Sequence, residues 1–180
     1  MPRNRNLLLT GNPGVGKTTL MVSMIKALAD YHPAGFVTRE IREEGVRKGF
    51  LLVSCSGARQ VLSHVDINSP LSVGKYKIDL PGFEQFLKEI DLSEESTGLV
   101  MIDEIGKMEC LSPPFRDTVL HLLDSDRPFI ATIGKKGTPY MEGIKKRSDV
   151  KLVEVTLQNR EWIRDDLVAE AIAMVKYART

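Results

Sequence analysis

Apolar residues along this chain alternate between short continuous runs and helically spaced stripes, and that alternation predicts the fold. Asn6-Leu7-Leu8-Leu9-Thr10 is a compact apolar run and reads as a buried strand. Leu20, Met21, Met24, Ile25 and Leu28 then recur at helical spacing, one face of a helix beginning near Lys17. Residues 34–38 read as a second strand. Residues 46–54 and 71–80 have strand-like composition or alternation with turn residues between them, a β-rich excursion of antiparallel strands over about residues 38–80. Residues 81–90 carry Phe83, Phe86, Leu87 and Ile90 on one helical face, and the polar stretch 91–98 reads as a loop. Leu99-Val100-Met101-Ile102 is a further apolar run, as expected of a strand covered on both faces of a parallel sheet. Ser112 caps a helix with Pro113 and Pro114 in its first turn, with Phe115, Val119, Leu122 and Leu123 facing inward. Residues 129–133 and 150–157 are the remaining strands, and a helix over about 161–178 closes the chain. Strands alternating with helices predict an α/β fold, a mostly parallel, doubly wound sheet with the antiparallel excursion beside it.

The turn between the first strand and the first helix changes this from a fold to a chemistry. Gly11-Asn12-Pro13-Gly14-Val15-Gly16-Lys17-Thr18 matches G-x-x-x-x-G-K-[ST], the phosphate-binding P-loop, in the strand–loop–helix setting the motif requires. Its glycines let the backbone curl so that successive N–H groups point at phosphate oxygens, and the helix start adds positive potential. Lys17 reaches the outer phosphates, the Thr18 hydroxyl can sit on Mg²⁺, and Thr19 completes the nucleotide-binding segment 11–19. The run ending at Ile102 leads into Asp103-Glu104, the Walker-B position, where Asp103 is expected to share Mg²⁺ with Thr18. Neighbours in a strand point to opposite faces, so Glu104 needs a separate role. A strand-end carboxylate turned toward the γ-phosphate can orient and activate water, which makes Glu104 and Lys17 the expected catalytic residues.

Other residues are weaker candidates. Thr132 closes the 129–133 strand and can hydrogen-bond the attacking water or the phosphate. Arg39, Arg42, Arg47 and Arg147 are candidate cations for the transition state, with no basis in sequence to choose among them. Asn159 and Arg160 follow the last strand, as base-contact candidates or, for Asn159, as a helix cap. No Asn/Thr-Lys-x-Asp guanine-reading motif stands in a fitting position, so weak base selectivity is expected.

Whole-chain properties narrow the setting. With 180 residues, 42% hydrophobic and 27% charged, one domain spanning 1–180 with a substantial core is expected. The net charge of +1 gives no indication of nucleic-acid binding. Two cysteines, Cys55 and Cys110, are too few for a disulfide framework. The start at 1–5 runs directly into the first strand and leaves no room for a cleavable signal, and no apolar run reaches membrane-spanning length. A cytoplasmic protein is the resulting expectation. Few Asn and Gln beside plentiful Lys, Arg and Glu lean toward a thermophile source.

Taken in order, the P-loop, Gly35-Phe36-Val37-Thr38-Arg39-Glu40, Val73-Gly74-Lys75-Tyr76, Asp103-Glu104-Ile105-Gly106-Lys107-Met108-Glu109 and Asn159-Arg160 resemble the small P-loop nucleoside-triphosphatase family of thermophilic archaea and bacteria. That family has a human relative called cancer-related nucleoside-triphosphatase, and the resemblance covers nearly the whole chain. It implies Mg²⁺-dependent hydrolysis of nucleoside triphosphates to diphosphates and phosphate with little base discrimination. It also implies a strand inserted between the P-loop and Walker-B strands. Lys107 and Glu109 gain interest only through it; by sequence they belong to a polar strand-to-helix loop. Two rival functions share these motifs: a P-loop kinase with Lys135, Lys136 and residues 145–147 in a phosphate-gripping lid, and a nucleotide-switched module that binds a partner.

Overall fold

The computed structural model describes residues 5–92 and 98–178. The expected loop over 91–98 falls outside the described residues at 93–97, as do residues 1–4 ahead of the first strand. A single nine-stranded sheet runs in the order β5-β6-β4-β3-β2-β7-β8-β1-β9. Five of its strands form a parallel core: β2 (Pro33–Glu43), β7 (Leu99–Ile105), β8 (Phe129–Ile133), β1 (Asn6–Thr10) and β9 (Val150–Glu154). Strand β8 therefore lies between β1 and β7, as the family resemblance implied.

Burial explains the near-continuous apolar strands. Leu8 of β1 packs into the layer formed with α2 (Leu80–Glu89) and α3 (Pro113–Asp124), while Leu7 and Leu9 pack into the layer formed with α1 (Lys17–Ala27) and α5 (Ile163–Ala178). A parallel strand with helices on both faces has no solvated side, so period-two alternation disappears. Phe36 of β2 anchors the first layer, edge-on to Phe83 at 6.2 Å and to Phe86 at 5.8 Å. Such pairings add to the large area these rings bury.

The excursion is more finely divided than its sequence suggests. Strand β2 extends well past residue 38, and β3 (Val46–Ser54) pairs back onto it antiparallel. Strand β4 (Arg59–His64), absent from the sequence-based reading, then pairs with β3. The 71–80 segment is a hairpin, β5 (Ser72–Val73) and β6 (Tyr76–Ile78), and not one strand. Asp79 ends it by accepting the Gly82 N–H at 3.0 Å, which caps α2. A short helix α4 (Pro139–Lys145) was also missed, since only Met141 and Ile144 are buried and seven residues display too little periodicity.

Strand β9 stops at Glu154, short of the expected 157. The Val155 N–H donates to the Thr10 carbonyl at 2.7 Å, and the chain then turns beside the P-loop. The C-terminal ends of β1, β7, β8 and β9 consequently open on one edge, where α/β sheets place their ligands.

Candidate active site

Between β1 and α1 the chain must reverse within a few residues, and two glycines make that possible. Gly16 caps α1 with φ 107°, a left-handed conformation costly for other residues. At Gly11 a methyl group would lie 2.4 Å from the Val155 carbonyl oxygen, so only a hydrogen fits between the loop and the β9 end. Lys17 is buried and folds back over the loop, its Nζ donating to the Gly11 and Asn12 carbonyls at 3.0 and 3.1 Å. These carbonyls hold the ammonium at the mouth of the loop, where it can exchange them for phosphate oxygens.

Asp103 is almost wholly buried, and three threonines surround it. Thr18 donates to Oδ2 at 2.7 Å, Thr132 donates to Oδ1 at 2.6 Å, and Thr38 donates to the Asp103 carbonyl at 2.6 Å. Residues 85 apart in sequence, Thr18 and Asp103, thus meet directly. Burial pushes the Asp103 carboxyl up, and the Thr132 and Thr18 hydroxyls and Lys17 pull it back. Thr132, foreseen on water or phosphate, spends its hydroxyl on the carboxylate instead.

Glu104 departs from simple alternation. Register pairs Ile102 with Ala131 but Ile105 with Ile133, three steps on β7 against two on β8. This bulge at Asp103-Glu104 lies inside the strand, which runs to Ile105 and does not end at Ile102. Bulges re-aim side chains beside active sites. The peptide joining the two acids is cis. Glu104 is half-buried, its carboxyl raised by burial and by the Asp103 charge and lowered by Lys17.

A second carboxyl accompanies it. A methyl at Gly106 would lie 2.6 Å from Glu109 Oε2 and 2.8 Å from Glu104 Oε1, so the bare glycine separates the two acids. Glu109 is buried, and desolvation followed by the Glu104 charge pushes its carboxyl up to about 8. Sequence alone showed Glu109 only as part of a polar loop; its burial follows from the turn Glu109–Leu111 that packs the loop under the sheet.

The arginines separate cleanly. Arg42 and Arg47 both bind Glu40, and Arg47 also donates to the Tyr76 hydroxyl at 2.8 Å. Arg147 is clamped by Asp124 and Asp149, and Asp149 also meets Asn6 at the start of β1. The structure therefore does not bring Arg147 to the site: it sits at the opposite edge of the sheet, a strand length from the P-loop. Arg39 differs from all three. It shares a face of β2 with Val37, the register partner of Asp103, is exposed, and makes no ion pair among the described residues. Past β9, Asn159 braces its own loop, accepting the Thr156 N–H and donating to the Glu154 carbonyl, both at 2.8 Å. Arg160 lies across Gly16 and donates to the Val15 carbonyl at 3.4 Å.

The sheet order and the loop on β1 place the chain in the class of P-loop proteins that bind nucleoside triphosphates. A family model described as NTPase matches residues 6–168. "Nucleoside-triphosphatase THEP1" of Thermotoga sp. (strain RQ2) is 38% identical over 174 residues, covering 96% of this chain and 97% of the relative. The crystal structure of THEP1 from the hyperthermophile Aquifex aeolicus superposes with TM-score 0.84 at 30% identity, covering 92% of this chain and 98% of that one. The solution structure of a human cancer-related nucleoside triphosphatase gives TM-score 0.77 at 38% identity, covering 94% and 98%. The chain belongs to this NTPase family.

Proposed function

We propose that this protein hydrolyses nucleoside triphosphates to diphosphates and phosphate, with Mg²⁺ and with little base discrimination. The observation that carries this most directly is the 2.7 Å contact between Thr18 and Asp103, which ties the phosphate loop to the acidic strand beside Glu104. The fit to Mg²⁺ is chemical. A hydroxyl and a buried carboxylate are hard oxygen donors, and Mg²⁺ is usually held by one or two protein oxygens, with water and phosphate completing the shell. Thr18 and Asp103 would hold the ion, which would supply charge neutralisation at the phosphates.

Segment 11–19 would wrap the phosphates, with backbone N–H groups and Lys17 stabilising the charge that develops as the terminal phosphoryl group leaves. Glu104 would orient water for in-line attack and accept its proton. Thr132 would hold Asp103 in place. Arg39 is the cation we assign to the transition state, because its face of β2 is the face Asp103 occupies. Two of the lysines a kinase lid would need are otherwise engaged: Lys145 bonds the Gly134 and Lys135 carbonyls and Glu142, and Lys135 bonds Glu154. No described helix is long and apolar enough to cross a membrane. A cytoplasmic setting, where ATP, GTP and related nucleotides are abundant, is part of this reading, as is a heat-adapted source, in line with the hyperthermophile that carries the Aquifex neighbour.

Phosphate release from ATP, GTP, CTP and UTP, without an acceptor, tests the activity. It is expected from all four with Mg²⁺ and is expected to vanish with EDTA or in Lys17→Ala. Release that requires a nucleoside acceptor would replace the hydrolase with a kinase. In the same assay Arg39→Ala is expected to lower kcat about tenfold or more. An enclosed arginine finger is worth about 10³ to 10⁵, and Arg39 is exposed. Arg147→Ala, at the far edge, should leave kcat near wild type; equal losses in both variants would remove Arg39 from the site.

A further inference from the structure

A residue outside both the phosphate loop and the acidic strand reaches the centre of the site. The Thr38 hydroxyl donates to the Asp103 carbonyl at 2.6 Å. That carbonyl belongs to the peptide group joining Asp103 to Glu104. A peptide group is planar, so a bond that holds its oxygen also holds the plane from which Glu104 departs. Few other bonds can do this. Regular pairing of β7 with β2 ends at Val37–Asp103, and pairing with β8 passes from Ile102–Ala131 to Ile105–Ile133. Glu104 therefore lies just beyond one ladder and inside the gap of the other. Thr38 itself is firmly seated: it follows Phe36 and Val37, both buried, and its partner on β3 is the fully buried Leu52. Its backbone N–H also bonds the Asp103 carboxylate.

Resting on the proposed hydrolysis, we infer that Thr38 is a positioning residue for the attack by water: its hydroxyl anchors the 103–104 peptide and so aims the Glu104 carboxyl. The two bonds from Thr38 have separate consequences. The N–H contact steadies the carboxylate proposed to hold Mg²⁺, and the hydroxyl contact sets the direction of the proton acceptor. Threonine suits the task, since branching at Cβ restricts χ1 and keeps the hydroxyl on one bearing. A group held this way by a buried neighbouring strand is preorganised before substrate arrives.

Thr38→Val separates the two bonds, because valine keeps the shape and the backbone N–H and removes only the hydroxyl. In acceptor-free phosphate release from ATP with Mg²⁺, this variant is expected to lower kcat by about tenfold to a hundredfold, the scale of a misaimed group. Its affinity for ADP with Mg²⁺ should stay close to wild type, and Thr38→Ser, which retains the hydroxyl, should recover much of the rate. In single turnovers, adding Thr38→Val to Glu104→Gln should cost little further, since a residue that works by aiming Glu104 then has nothing left to aim. A merely structural threonine would not show that coupling. Thermal melting checks folding; should Thr38→Val lack a cooperative transition, Thr38→Ala removes the same hydroxyl and is read in the same way. Wild-type kcat without the hydroxyl, a loss cured by raising Mg²⁺, or a full additional loss on top of Glu104→Gln would each overturn the positioning role while leaving the hydrolysis standing. A wild type that binds nucleotide but releases no phosphate at any Mg²⁺ concentration would overturn the proposed hydrolysis itself, and the role of Thr38 with it.

Discussion

Glu104→Gln is expected to reduce kcat by about 10²- to 10⁴-fold, the usual worth of a positioned acid or base, while leaving nucleotide affinity close to wild type. Glutamine keeps the size of the side chain and can still hydrogen-bond water, but it cannot take the proton. The pair proposed to hold Mg²⁺ is untouched, since Thr18 bonds Asp103 and not Glu104. The environment favours the role. Burial and then the Asp103 charge raise the Glu104 carboxyl above its ordinary value, which makes it a stronger proton acceptor, and Lys17 restrains the shift. Single-turnover phosphate release, set beside equilibrium binding of the triphosphate, separates the two quantities. A variant that turns over at the wild-type rate would remove Glu104 from the chemistry; one that fails to bind would make it a structural support of the loop.

The parts of this site visible in sequence are those encoded locally. The P-loop is contiguous, its glycines and Lys17 serve a single turn, and the apolar runs of β1, β7 and β8 need only burial on both faces to be recognised. What escaped depends on register and on distant partners. Asp149 stands two residues from Arg147 and Glu40 two residues from Arg42, but that Asp124 joins the clamp at the far edge and that Glu40 also takes Arg47 depend on how the chain is aligned. Arg39 emerges because Val37 pairs with Asp103, a fact of strand alignment. Thr132 was placed at the right edge of the sheet, but its hydroxyl direction depends on β8 lying beside β7. Strand β4 was lost because its polar residues resemble the turns around it, and the β5–β6 hairpin was read as one strand because its two arms are only two and three residues long.

Glu109 shows the same limit and yields the largest expected effect on stability. Its carboxyl rises from the ordinary 4.5 to about 8 in the folded protein, through desolvation first and the Glu104 charge second, with backbone N–H groups of Glu109 and Gly106 opposing. Between these values the folded chain keeps a proton that the unfolded chain releases. Stability from this group is therefore fully present below pH 4.5, declines as pH rises, and is lost once pH passes about 8. At about 1.4 kcal/mol per pH unit, the decline contributed by Glu109 reaches on the order of 5 kcal/mol. Glu109→Gln keeps the shape of the neutral acid and cannot ionise. In EDTA and without nucleotide, urea unfolding of the wild type should show stability falling from pH 5 to pH 8.5, whereas the variant should be much flatter and the more stable of the two at the alkaline end. Parallel curves for the two proteins would mean that Glu109 ionises as readily folded as unfolded. The expected divergence would show that this acid, buried near Glu104, is held neutral by the fold and is carried at a cost to stability as the pH rises.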